Sequence, residues 1–149
     1  MTRVLFVCTG NTCRSPMAEG FFNQYAREKG IDASASSCGL SAYKSNAPSP
    51  EAVTACAEYG VDISEHRAVS VDNRLVDEAD YIICMTKGQY EVLELMFPQY
   101  VKRFSTLAAE DITDPFGGTA ELYRTVGKAI HAEAARVCEV IKNSENAYE

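Results

Sequence analysis

Histidine and basic residues are scarce in this chain, and long apolar runs are missing altogether. Only two histidines are present, His66 and His131, and neither has cysteines or acids spaced beside it to form a zinc set. No metal or organic cofactor is expected, since Arg14 and the amides of the loop before it can supply the positive potential an anion needs. The 14 lysines and arginines are outnumbered by 21 aspartates and glutamates, a net charge of −7. Non-specific nucleic-acid binding and adhesion to anionic membranes both need a basic face, so neither is expected. No apolar run approaches the roughly 20 residues of a membrane span, and no early segment has the charged start, apolar core and cleavage site of a leader. A cytoplasmic protein is expected. Linkers rich in Pro, Gly or Ser, charge blocks and internal repeats are also missing, so residues 1–149 read as one domain large enough to bury a proper core. The six cysteines are not closely spaced, which suits a reduced compartment better than a disulfide scaffold.

What is present is concentrated near the start. Residues 4 to 15 read VLFVCTGNTCRS, an apolar run followed by Cys8, five residues, Arg14 and Ser15. Val4 to Val7 read as a parallel strand buried on both faces, and Pro16 suits the first turn of a helix. The loop between them is therefore a strand-to-helix turn. In such a turn the backbone N–H groups of Thr9, Gly10, Asn11, Thr12, Cys13 and Arg14 converge at the positive end of the helix, a ready cradle for an anion. Gly10 permits a tight turn and close approach to a ligand, and Asn11 tolerates a left-handed conformation. Cys8 lies on the cradle floor, where the same field is expected to keep it largely thiolate.

The rest of the chain alternates strands and helices. Ala18, Phe21, Phe22, Tyr25 and Ala26 have helical spacing up to Gly30. Residues 33–38 (ASASSC) form a second strand by context more than by pattern. Ser49 and Pro50 suit the cap and first position of a helix running to Gly60. Tyr81 to Met85 is the clearest later strand, followed by Thr86 as a cap and a helix toward Phe97. A fourth strand is expected near Lys102 to Phe104. Leu122, Val126, Ile130, Ala134, Val137 and Ile141 then trace one face of a final helix. This alternation implies a parallel sheet covered on both faces, with ligands at the carboxyl ends of its strands.

A second chemical feature is Asp114, in the loop DITDPFGG. Attack by a thiolate on phosphorus needs a proton donor on the opposite side, because the leaving group departs in line. Taken by itself, an Asp-Pro in a loop is far more often a turn than an acid. The cysteine loop is what gives it a chemical meaning. On the same reasoning His66 alone reads as an exposed loop residue and Cys13 as a small buried one.

CTGNTCRSPMAE at 8–19, SSCG at 36–39, DISEHRA at 62–68 and DPFGG at 114–118 together resemble the low-molecular-weight protein tyrosine phosphatases across almost the whole chain. The resemblance implies a single three-layer α/β domain, with a four-stranded parallel sheet in the order 2-1-3-4 flanked by helices. It also implies that Cys8 attacks phosphorus to give a phosphocysteine and that Arg14 grips two phosphate oxygens with its planar fork. Ser15 would donate to the sulfur, and Asp114 would protonate the leaving atom and then activate water. Asn11, Ser15, Ser37 and His66 match a network that holds the loop in relatives. Cys8 and Cys13 match a pair that forms a reversible disulfide, protecting the nucleophile from higher oxides. Cys38, Cys56 and Cys138 read as core filler.

Substrate class rests on fewer residues. Tyrosine-directed relatives usually carry a bulky aliphatic at the position of Thr12, whereas the bacterial protein-arginine phosphatases carry threonine. Phe116 replaces a tyrosine common in vertebrate relatives, and DPFGG resembles the arginine-phosphatase branch. The expected activity is hydrolysis of phosphorylated protein side chains, phosphoarginine ahead of phosphotyrosine. Inorganic phosphate, vanadate and arsenate should compete, and the chain should be a monomer or weak dimer. The loop 40–48 could border the site, with Tyr43 as a substrate wall or merely an exposed aromatic. Two rivals stand beside this reading. A thioredoxin-coupled arsenate reductase would need further relay cysteines, and after Cys84 the segment MTKGQYEVLE has none. An oxyanion-binding module without chemistry would have to explain why Cys8, Arg14, Ser15 and Asp114 occur together.

Overall fold

Successive residues of the first strand supply two different cores. In the computed structural model, which describes residues 1–146, β1 (Thr2–Cys8) lies inside a four-stranded sheet of order β2-β1-β3-β4, all neighbours parallel. Val4, Phe6 and Cys8 face α1 (Arg14–Lys29), α2 (Pro50–Ala57) and α5 (Ala120–Asn146), where Met17, Phe22, Tyr123 and Ile130 are fully buried. Leu5 and Val7 face the other way, with Val76 of α3 (Asn73–Glu78), Leu93 of α4 (Lys87–Met96) and Phe97. Each of these larger apolar side chains contributes about 1.5–3 kcal/mol by leaving water, and the pleat alone sorts them between the faces. The expected three-layer α/β fold and strand order are those observed.

β2 (Ala33–Gly39) occupies one edge, which explains its weak apolar signal. Its open side is satisfied from α1: Ala35 N donates to Asn23 Oδ1 at 2.8 Å and Asn23 Nδ2 donates to Ala35 O at 3.0 Å. The expected strand at Lys102 to Phe104 is displaced. Pro98–Arg103 form a 3-10 turn, in which Arg103 stacks over Tyr100 and donates to the carbonyls of Asp77 and Ala79, and β4 begins only at Phe104 (Phe104–Thr106). Thr86 caps α4 as expected, and Gln89 completes a reciprocal capping box. Ser49 stands at the cap position of α2 without capping it, because its hydroxyl is turned elsewhere. α2 ends at Ala57, short of Gly60.

β1 (Thr2–Cys8) and β3 (Tyr81–Cys84) run to their carboxyl ends side by side, so Cys8, the loop after it and the segments following β2, β3 and β4 meet on one rim. No helix among the described residues is long and apolar enough to cross a membrane.

Candidate active site

Residues 8–14 floor a cleft of about 440 Å³, walled by the loop after β2 on one side and by Asp114 and Phe116 on the other. Left-handed backbone is required at Asn11 (φ 57°), as expected, rather than at Gly10. Asn11 is fully buried and every polar atom of its side chain is used. Oδ1 accepts from Val69 N at 3.0 Å, which fixes the amide so that both Nδ2 hydrogens point the other way, to Ser15 Oγ at 2.9 Å and Ser37 Oγ at 3.0 Å. The Ser15 oxygen is thereby occupied as an acceptor. Its own hydrogen has Cys8 Sγ at 2.8 Å, with the Cys38 carbonyl a longer option at 3.4 Å. The Asn11 amide thus leaves Ser15 able to donate to the sulfur, the nearer of its two acceptors.

The same chain continues outward. Ser37 Oγ donates to Glu19 Oε1 at 2.8 Å, and His66 Nε2 sits 2.9 Å from the Asn11 carbonyl. Burial pushes the Glu19 carboxyl up, while Ser37 and His66 pull it down. Glu19 lies inside the CTGNTCRSPMAE segment, yet its supporting role is not visible there. A glutamate in the first turns of a helix has a solvent-facing explanation that sequence alone does not displace.

Cys8 is 2% exposed, and Asn11 N donates to its sulfur at 3.3 Å. Burial pushes its thiol above the ordinary value, opposed by Ser15, the Asn11 amide and Arg14. Burial thus works against the helix field on which the expected thiolate rests. The cause is that Cys8 sits in the core as well as at the helix start, and that Arg14 is shared. Its Nη1 donates to the Ile112 carbonyl at 2.9 Å, and its Nη2 lies 3.7 Å from Asp114 Oδ2. Asp114 closes a turn and faces the cleft with the same side chain. Oδ1 accepts from Phe116 N at 3.1 Å and closes the Asp-Pro turn, and Oδ2 faces the cleft arginine.

Cys13 is also buried in the cleft wall, with Ser49 Oγ 3.0 Å and Tyr123 Oη 3.2 Å from its sulfur. Tyr123 belongs neither to the site nor to the apolar face of α5 that the sequence suggests, and burial together with Cys13 pushes its hydroxyl up to about 12. Thr12 lines the cleft, as do Ser41, Tyr43 and Asn46 of the 40–48 loop. Tyr43 and Phe116, 79% and 73% exposed, stand at the rim, whereas Phe21 is core, packed edge-on against Tyr59 and His131. Among the described residues no group of histidines, cysteines or acids is arranged to hold a metal.

A buried cysteine at the end of a central parallel strand, an arginine six residues on and an aspartate facing it thus stand together in one cleft. The family model for low molecular weight phosphotyrosine protein phosphatases matches residues 3–147. The chain belongs to this phosphatase family. It is a cysteine-based protein phosphatase. It is 33% identical over 127 residues to a protein-arginine-phosphatase of Bacillus subtilis, covering 81% of this chain and 84% of that one. Over 116 residues it is 37% identical to a probable low molecular weight protein-tyrosine-phosphatase, EpsP, of Ralstonia solanacearum, covering 76% and 77%. The solved YwlE arginine phosphatase of Geobacillus stearothermophilus superposes with a TM-score of 0.91 at 29% identity, over all of this chain and 98% of that one. Names among the phosphatase's relatives also include arsenate reductase.

Proposed function

We propose that this phosphatase hydrolyses phosphoarginine in proteins through a phosphocysteine on Cys8. The observation that carries the reading is the convergence of Cys8 Sγ, the Ser15 hydroxyl, the Arg14 fork and Asp114 in one cleft. Cys8 gives its proton to an oxygen of the incoming phosphoryl dianion and attacks phosphorus. The nitrogen of the leaving guanidine departs in line, taking a proton from Asp114. The amides of residues 9–14 and Arg14 hold the equatorial oxygens as charge shifts, where magnesium serves in other phosphoryl transferases. Asp114, now a carboxylate, takes a proton from the water that attacks the phosphocysteine, and phosphate leaves after handing the proton taken from Cys8 back to the sulfur, which Ser15 steadies in both steps. Phosphate, vanadate and arsenate compete for the cradle.

Thr12 supports phosphoarginine over phosphotyrosine. A hydroxyl on the cleft wall suits a polar guanidinium and removes the apolar surface a phenyl ring would occupy. Cys84 argues against an arsenate-reductase relay, because its thiol is buried on the far face of the sheet beside Leu93 and Phe104 and no second cysteine follows in α4. Cys13, on the wall of the same cleft, is the resolving thiol for an oxidised Cys8.

Steady-state hydrolysis of matched phosphoarginine and phosphotyrosine peptides, with Cys8→Ser as blank, tests this. A higher kcat/KM on phosphoarginine is expected, with Thr12→Ile moving the ratio toward phosphotyrosine by roughly tenfold or more, the worth of one lost polar contact. An unchanged ratio in Thr12→Ile would sink the specificity assignment. Oxyanion binding without turnover in the wild type would return the chain to a binding role.

A further inference from the structure

Gln89 is 6% exposed, in the first turn of α4 beside the nucleophile loop. Its Oε1 accepts from Met85 N at 2.8 Å and Thr86 N at 3.0 Å. Both partners can only donate, so the oxygen of the amide must face them and its orientation is fixed. Nε2 is then left against Thr9 Oγ1 at 3.2 Å, where it can only donate. The Thr9 oxygen is occupied as an acceptor, and its own hydrogen meets no acceptor among the described residues. Thr9 is exposed on the wall of the cleft that holds Cys8 and Arg14. A hydroxyl next to an anion cradle thus keeps its hydrogen available to donate.

We propose that Gln89 is a positioning residue, which by donating to Thr9 Oγ1 aims the Thr9 hydroxyl hydrogen at an oxygen of the phosphoryl group in the cleft. This rests on the reading that the cleft takes a phosphoryl group. Gln89 touches no substrate and acts only through Thr9. The substitution that isolates the effect is Gln89→Glu, which keeps an oxygen for the Met85 and Thr86 amides and so keeps the helix cap, but replaces the donor facing Thr9 by an acceptor. The Thr9 hydrogen then turns to the carboxylate and away from the cleft.

The test is binding of inorganic phosphate to the full chain by calorimetry, for the wild type, Gln89→Glu, Thr9→Val, the double variant and Thr9→Ser. Gln89→Glu and Thr9→Val are each expected to weaken phosphate binding about tenfold, the size of one hydrogen bond to an anion. The double variant should be no weaker than Thr9→Val alone, and Thr9→Ser, which keeps the hydroxyl, should match the wild type. The ratio of Gln89→Glu to wild-type affinity should also narrow as pH is lowered, because a protonated carboxyl donates again. Wild-type affinity in Gln89→Glu, a Gln89→Glu penalty that persists in full beside Thr9→Val, or a Thr9→Ser as weak as Thr9→Val would each overturn the proposal. A wild type that binds no phosphate would overturn the phosphoryl reading itself, a result distinct from all of these.

Discussion

A β-carbon at Gly39 would lie 2.5 Å from the Thr9 carbonyl oxygen and 3.1 Å from the Asn11 amide nitrogen, both backbone atoms of the nucleophile loop. Neither can step aside without moving Cys8 or the cradle. Gly39→Ala should therefore lower kcat/KM by about a hundredfold, the usual cost of an ångström-scale misplacement, and lower stability by roughly 1–3 kcal/mol. Measured kcat/KM within a few-fold of wild type would refute this. Cys8 and Arg14 are legible in the sequence because each is unusual where it stands, a cysteine after an apolar run and an arginine at a helix start, whereas Asp114, an ordinary Asp-Pro by itself, gains a meaning only beside them. Glu19, Gln89, Tyr123 and Ser49 escape notice for the opposite reason. Each has an ordinary place on a helix or at a cap, and only the fold brings Ser49 and Tyr123, 36 and 110 residues along the chain from Cys13, to its sulfur. The depth of Cys8 escapes too, since the helix field is visible in sequence while the burial that opposes it is not.

At the scale of elements, the packing of α1 sets two local preferences against each other. Gly20 lies within α1, where alanine would favour the helix by about 1 kcal/mol. A β-carbon there would sit 2.8 Å from Ile63 Cγ2 and 2.8 Å from Val61 Cγ1, branched side chains with little rotamer freedom. Overpacking costs about 1–3 kcal/mol, so Gly20→Ala should be net destabilising, by up to ~2 kcal/mol, in chemical denaturation. A stabilised variant would show that the segment at 61–63 yields. Strongly periodic or purely apolar elements, β1, α1, β3 and α5, are legible at once. β2 is obscured because, at the edge, it needs small residues and is closed by Asn23, and α3 because its six residues bury only Val76. β4 is misplaced by two residues because the backbone of Pro98–Arg103 is wound into a 3-10 turn, so the ladder starts only at Phe104.

For the whole molecule, the cysteines tie stability to pH. Burial pushes Cys56 up to about 12 and Cys84 and Cys138 up to about 11, from an ordinary 9.0. Between pH 9 and 11 the unfolded chain loses these protons while the folded chain keeps them, so stability falls as pH rises through that window. Urea midpoints in the presence of reductant should drop between pH 8.5 and 10.5, and Cys56→Ala with Cys138→Ala should flatten the slope. An equal slope in that double variant would assign the loss to other groups. The arginine of the cleft has a partner that comes late in the chain. Arg14 belongs to the first tenth of the sequence, yet it is anchored by the Ile112 carbonyl, and Cys13 beside it is met by Tyr123. A polypeptide growing from its amino end therefore carries the nucleophile long before it carries the groups that set it. Catalytic competence waits for α5, and any fragment that stops short of α5 bears the signature loop without a finished site.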